Sequence, residues 1–404
     1  MARIGSVIFG LFALLFSVSA AARQTVLLVS IDGFRADYLA RGVTPTLSAL
    51  AAGGVQAAMR PSFPSLTFPN HYTLVTGLYP DHHGIVDNTM DDPSLAHPHF
   101  TLSDPAANHD PAWWEEATPL WVSVQRQGGH AATLFWPGSE TEIHGARPDH
   151  WLPYDKGMAD SDRVGQVLTW LDAPEAERPS FLTLYFDKVD TAGHHEGPDS
   201  TGVNQALGEV DGAIGQLLDG LKQRGLGGKI DLIIVADHGM AALSPDRTIF
   251  IDDIVPPGEI HIVTEGAMMG LVPAAGAESQ VDKALFAAQK HMVCRNKQDM
   301  PERLHYGANP RVPPILCLAE AGWVITTHEA AAKRKSPYLG THGYDNQAPD
   351  MAALFIGNGP DFRAGVKHAG FDNVDVYPLM AKLLGVTPEA NDGKLADVAD
   401  MLKH

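Results

Sequence analysis

Four short apolar runs constrain this chain most, because each leads into a residue that a purely structural run would not choose. Residues 26–31 run into Asp32, residues 131–135 into Trp136-Pro137-Gly138, residues 181–186 into Asp187, and residues 232–236 into Asp237. Runs with little polar alternation predict strands buried on both faces. Between them the spacing turns helical: Val164, Val167, Leu168 and Leu171 share one face, as do Val203, Leu207, Val210, Ile214, Leu217, Leu218 and Leu221. Strand alternating with helix predicts an α/β fold, a mostly parallel central sheet with helices on both faces. Ligands of such sheets bind beyond the carboxyl ends of the strands, which is where Asp32 and Asp237 stand. From about 256 to 327 the alternation lapses, with short strands near Ile260 and Trp323, and this stretch predicts a smaller, irregular insertion within a single domain spanning 23–404.

The amino terminus reads differently. Arg3, an apolar stretch from Val7 to Phe16, and the small residues Ser19 to Ala22 predict a signal peptide over 1–22, too short for a comfortable membrane span. No later stretch is long and apolar enough to cross a bilayer, so the expected location is secreted or periplasmic. Charge narrows the ligand: 29 Lys+Arg against 48 Asp+Glu give a net charge of −19, the wrong field for duplex nucleic acid. Two cysteines cannot build a thiolate zinc site, so any metal must be held by His and carboxylate groups, and 19 His are present. In an oxidising compartment Cys294 and Cys317 have the option of pairing, a matter of geometry that spacing does not decide.

Candidate metal ligands fall into four clusters. Asp32 ends the first apolar run; Asp190 and His194 stand four apart, a spacing that aims both side chains from one helical turn; Asp237-His238 follows a buried run; and His342 lies in Gly340-Thr341-His342-Gly343-Tyr344. Any one of these alone reads equally well as a turn or a surface pair. Jointly they are costly without a partner, because most of them flank apolar strands. His82, His83 and His195 sit beside these clusters and read as hydrogen-bonded rim or core histidines rather than ligands.

One further segment carries chemistry. In residues 64–77, Pro69 suits the first turn of a helix, Thr67 falls near its N-cap and Gly77 marks its end. A helix start offers free N–H groups to an anion. From this segment alone Thr67 is either a plain cap or, next to a metal, an activated hydroxyl.

Together, Thr67-Phe68-Pro69-Asn70-His71-Tyr72, Val75-Thr76-Gly77-Leu78-Tyr79-Pro80, His83-Gly84-Ile85, Asp32-Gly33, Phe135-Trp136-Pro137-Gly138-Ser139-Glu140, Asp237-His238-Gly239-Met240 and the His342 segment resemble the nucleotide pyrophosphatase/phosphodiesterase family of the alkaline phosphatase superfamily. The likeness extends to residues 373–380. It implies an alkaline-phosphatase-like fold and two Zn2+ ions per chain, one on Asp32, Asp237 and His238 with the Thr67 oxygen, the other on Asp190, His194 and His342. It further implies that Thr67 attacks phosphorus to give a phospho-threonine, and that Asn88 and the Phe68 N–H bind the non-bridging phosphate oxygens. Phe68, Tyr154 and Tyr185 match positions that stack on the substrate's base, with Leu102 expected to line the same cavity, although core packing would account for any one of these aromatics. The implied substrate is a small nucleotide diester or pyrophosphate, cleaved to a nucleoside 5′-monophosphate. Choline-phosphodiester and lysophospholipid members share the ligand set and remain the alternative.

Overall fold

The computed structural model describes residues 24–334, 336 and 338–403, so the expected leader at 1–22 lies outside the described residues. Thr25–Ile31 forms the middle of the main sheet, with Phe181–Phe186 on one side and Ile230–Val235 on the other, both parallel to it. In register, Ser30 faces Tyr185 and Val235, so the carboxyl ends of three strands finish level with one another. Asp32, Asp187 and Asp237 therefore emerge at one edge, where a parallel sheet presents its ligand-binding crevice.

The sheet continues through Ala131–Leu134 to His150–Leu152 on one flank. On the other it passes through Ala353–Asn358 to Val55–Arg60, against which Val366–Lys367 and Phe371–Asp372 also pair. The sheet is mostly parallel, as the alternation predicts. Ala353–Asn358 is the exception, running antiparallel to both neighbours. All six residues of Ile230–Val235 are buried, as expected for a strand covered on both faces.

Thr201–Gln223 is the longest helix. It begins where the Ser200 side chain accepts the Val203 N–H, and it buries Val203, Leu207, Val210, Ile214, Leu217 and Leu221. Each such aliphatic side chain contributes about 1.5–3 kcal/mol by leaving water. It packs with Pro45–Gly53, Asp160–Leu171 and Lys188–Glu196, while Thr67–Thr76, Leu120–Arg126 and Val376–Leu384 form a second group.

Within residues 256–327 the chain builds its own antiparallel sheet, in the order Ile260–Thr264, Met268–Pro273, Ile315–Ala319, Met292–Asn296. A separate small core of Met269, Leu271, Val281, Leu285 and Ile325 lies under it. Cys294 and Cys317 stand directly opposite on two of these strands and form a disulfide. Among the described residues no helix is long and apolar enough to cross a membrane.

Candidate active site

The helix Thr67–Thr76 starts at Thr67 itself, with Leu66 at the N-cap and no side-chain cap. The capping role left open for Thr67 is therefore not taken up. Its hydroxyl instead lies 3.3 Å from His238 Nε2. Asn70 secures the helix start: its Nδ2 donates to the carbonyls of Pro64 and Leu66, while its Oδ1 accepts from the Ser62 N–H at 2.8 Å. Below Thr67, the buried His71 ring is within hydrogen-bond distance of Ser30 Oγ and the Thr67 carbonyl.

The six nitrogen and carboxylate donors predicted from the sequence gather into two trios. Asp32, Asp237 and His238 form one and Asp190, His194 and His342 the other, and within each trio the candidate ligand atoms lie within 4.8 Å of one another. In the first trio His238 Nε2 stands 3.0 Å from Asp237 Oδ2 and 3.4 Å from Asp32 Oδ1. In the second, Asp190 Oδ1 lies 3.4 Å from His194 Nε2 and 3.6 Å from His342 Nε2. The His238 and His342 rings stack at 3.5 Å, joining the two trios.

Two observations test whether cations fit. Asp32 Oδ1, Asp190 Oδ1 and Asp237 Oδ2, the oxygens turned towards the imidazoles, are buried and have no hydrogen-bond partner. Such atoms are costly unless something outside the chain satisfies them. The imidazoles give the second observation. His194, His238 and His342 each place Nδ1 at 2.9 Å from a backbone carbonyl, those of Gly340, Gly239 and Ser65. Carbonyls only accept, so in each ring the proton sits on Nδ1 and the Nε2 lone pair faces inward. His194 and His342 then bring two lone pairs to within 3.2 Å, an arrangement that a shared cation relieves.

The electrostatics of the protein groups alone do not all point one way: burial lowers His238, but Asp237 outweighs it and holds the imidazole above its ordinary value. Burial, followed by the charges of Asp237 and Asp190, pushes the Asp32 carboxyl well above the usual carboxylate range. For Asp237 burial acts in the same direction but is outweighed by His238 and His71, which hold it below that range. Burial, then neighbouring His238 and His194, keeps His342 well below the ordinary imidazole value and so neutral. The carboxylates are also oriented: the Tyr185 hydroxyl donates to Asp32 Oδ2 at 2.6 Å and the Gly33 N–H to Asp237 Oδ1 at 3.2 Å.

Above the trios opens a cavity of about 780 Å³, lined by Asp32, Thr67, Asp190, His194 and His342 among others. Every residue assigned to the substrate pocket reaches it: Phe68, Asn88, Leu102, Tyr154 and Tyr185. Asp237 and His238 are fully buried. One expectation changes in detail. The Phe68 N–H does not stand free for a phosphate oxygen, because it donates to Asn88 Oδ1 at 2.9 Å. That bond fixes the Asn88 amide so that its NH2 group is the donor left to the cavity.

Sequence reasoning missed part of the wall. Trp114 packs against Phe68, with ring centroids 6.1 Å apart, and Phe135 meets Tyr154 edge-on at 5.3 Å. Glu140 accepts the Tyr154 N–H at 3.0 Å, and Asp187 accepts its hydroxyl at 3.3 Å. Phe135 adopts φ 60°, an uncommon conformation for a bulky residue and one often found where a site imposes it. Phe135 had a usable signal, since it ends an apolar run just as the residue before Asp32 does. Trp114 follows no strand and had none.

The fold, with two candidate metal-binding trios at its strand ends, is that of an alkaline-phosphatase-like α/β protein. Residues 26–345 match the family described as type I phosphodiesterase / nucleotide pyrophosphatase, and the chain belongs to that family. It is 38% identical over 381 residues to a bis(5′-adenosyl)-triphosphatase of Xenopus laevis, covering 94% of this chain and 82% of that protein. A Schizosaccharomyces pombe protein named as an uncharacterized pyrophosphatase/phosphodiesterase is 37% identical, covering 92% of this chain and 79% of its own length. Among solved structures, murine ectonucleotide pyrophosphatase/phosphodiesterase 5, in an inactive threonine-to-alanine form bound to AMP, superposes with a TM-score of 0.89 at 35% identity, covering 94% of this chain and 100% of that one.

Proposed function

We propose that this protein is a secreted or periplasmic two-zinc nucleotide pyrophosphatase/phosphodiesterase that releases nucleoside 5′-monophosphates through a phospho-threonine intermediate. The observation that carries the reading is the convergence of three unpartnered carboxylate oxygens and three inward Nε2 lone pairs beside Thr67. Asp32, Asp237 and His238 would hold one ion and Asp190, His194 and His342 the other; a His and carboxylate set of this kind favours zinc among divalent metals. When bound, the ions supply Lewis-acid stabilisation of the attacking and leaving oxygens and lower the pKa of an oxygen they touch.

The chain's own residues do the rest. Thr67 Oγ1, at the helix start, forms the new bond to phosphorus as the leaving oxygen departs on the opposite side. The Asn88 NH2 group, held by the Phe68 N–H, donates to a non-bridging oxygen as charge develops there. Water then displaces Thr67 and frees the monophosphate. Phe68, Tyr154 and Tyr185 line the space for the base, with Leu102 beside them. Among the described residues no arginine lines the cavity, which suits the single charge of a diester better than a monoester dianion. AMP in the murine neighbour and the bis(5′-adenosyl)-triphosphatase name of the Xenopus relative support a nucleotide substrate. The ectonucleotidase names of several relatives support an extracytoplasmic location.

A choline-phosphodiester or lysophospholipid substrate is the second reading, since an aromatic wall also suits a quaternary ammonium group. A side-by-side assay of ATP, a dinucleotide, glycerophosphocholine and a phosphomonoester separates the two, and a choline preference would overturn the nucleotide reading. Thr67→Ala is expected to keep its zinc and its fold while losing nearly all turnover; an unchanged rate would remove Thr67 from the chemistry.

A further inference from the structure

The nucleotide reading leaves an exposed tyrosine of the cavity wall unassigned. Tyr338 lines the same cavity as Tyr154 yet is 44% exposed, and its ring lies 5.3 Å from that of His194 and 5.9 Å from that of His195. Its backbone is anchored next door: the Leu339 N–H donates to the His194 carbonyl at 2.8 Å, and the Leu339 carbonyl accepts from the Leu243 N–H at 2.8 Å. The Arg334 guanidinium lies over the ring at 5.8 Å from its centroid and still leaves Tyr338 44% exposed.

Position along one helix separates the two exposed tyrosines. The Tyr154 hydroxyl bonds Asp187, the N-cap of Lys188–Glu196, whereas Tyr338 sits against His194 and His195 in the last turn. At 1.5 Å per residue these points are roughly 10 Å apart along the helix axis. Sidedness follows from the displacement. Thr67 Oγ1 stands beside His238 of the first trio, so an oxygen leaving in line with it departs towards the second trio, to which His194 belongs.

We propose that Tyr338, with His195 beside it, is a leaving-group subsite that stacks a second planar base, so that this site is shaped for nucleotides carrying a base at both ends of a phosphate chain. This rests on the nucleotide reading above and deepens it. The subsite adds nothing for a substrate whose leaving group is inorganic pyrophosphate.

The test compares two substrates that yield the same AMP: diadenosine triphosphate, which leaves ADP, and ATP, which leaves pyrophosphate. Their kcat/KM ratio is measured for the wild-type protein, Tyr338→Ala and Tyr338→Phe. Loss of one stacking partner predicts that the diadenosine triphosphate to ATP ratio falls about five- to hundred-fold in Tyr338→Ala, mostly through KM, and is retained in Tyr338→Phe. A ratio within two-fold of wild type in Tyr338→Ala, or an equal fall for both substrates, overturns the proposal. If the wild-type protein cleaves neither nucleotide, the nucleotide reading itself fails, and this inference with it.

Discussion

Asp87 precedes Asn88 and is almost wholly buried. Its Oδ1 accepts the Thr89 N–H at 3.0 Å and the Thr264 hydroxyl at 3.1 Å, while its Oδ2 is buried without a partner. Burial outweighs those two hydrogen bonds and pushes the carboxyl from its ordinary 3.8 up to about 7. Below about pH 4 both folded and unfolded chains hold the proton, and Asp87 makes no difference to stability. Between about pH 4 and 7 the unfolded chain releases a proton that the folded chain retains, so the folded state loses about 1.4 kcal/mol per pH unit. Over some three units the loss reaches about 4 kcal/mol, and above pH 7 it is constant. Asp87→Asn keeps the accepting oxygen and removes the titration. Its unpartnered NH2 costs about 1–3 kcal/mol at every pH, which offsets part of the gain but adds no slope. Urea unfolding of both proteins at pH 4, 5, 6, 7 and 8 measures the effect, and contributions from the metal ligands cancel in the difference. The stability of Asp87→Asn relative to wild type should rise by a few kcal/mol from pH 4 to 8. A difference that stays flat across that range would refute the reasoning.

Three further outcomes test the site. Asn88→Ala should lower kcat about 10²–10³-fold with metal content unchanged by elemental analysis, and a near-normal kcat would mean that another group stabilises the phosphate charge. Tyr185→Phe removes the donor to Asp32 Oδ2 and should weaken metal binding about 10–100-fold in competition with a chromogenic chelator; unaltered affinity would show that Asp32 needs no such support. Exhaustive chelation should abolish turnover and lower the melting temperature, with both restored by added zinc, because the emptied trios leave the buried Asp32 and Asp237 and the half-buried Asp190 opposing one another. Turnover that persists in verified metal-free protein would contradict the two-ion reading.

Much of the candidate site could be read from the chain because several of its candidate ligands sit at strand ends, where an acidic residue interrupts an apolar run. Asp32 and Asp237 announce themselves in this way, and Asp190 and His194 by a helical spacing. What escaped was non-local. Thr264 bonds Asp87 across 177 positions from the second sheet, and no periodicity links the two segments. The Asn88 amide has its direction set by a main-chain N–H twenty residues away, which residue type alone cannot convey. Trp114 joins the wall through tertiary packing on Phe68, and a tryptophan of that kind reads in sequence as ordinary core. The antiparallel course of Ala353–Asn358 was equally hidden, since apolar content marks a buried strand and not its direction.

The three carbonyls beneath the imidazoles have a consequence for how such a site tolerates change. Many metal centres fix their histidines with side-chain carboxylates, which one substitution can remove. Here the proton position is written into the path of the main chain, so exchanging neighbouring side chains would leave it largely untouched. Its weak points are instead the places where backbone approaches backbone. A Cβ at Gly239 would meet the Asp350 carbonyl oxygen at 2.1 Å, and one at Gly340 would meet that of Gly193 at 2.4 Å. A single methyl group at either glycine, far smaller than any ligand deletion, would force the two backbone segments apart, and the glycine's own carbonyl is the one that holds a histidine ring in place.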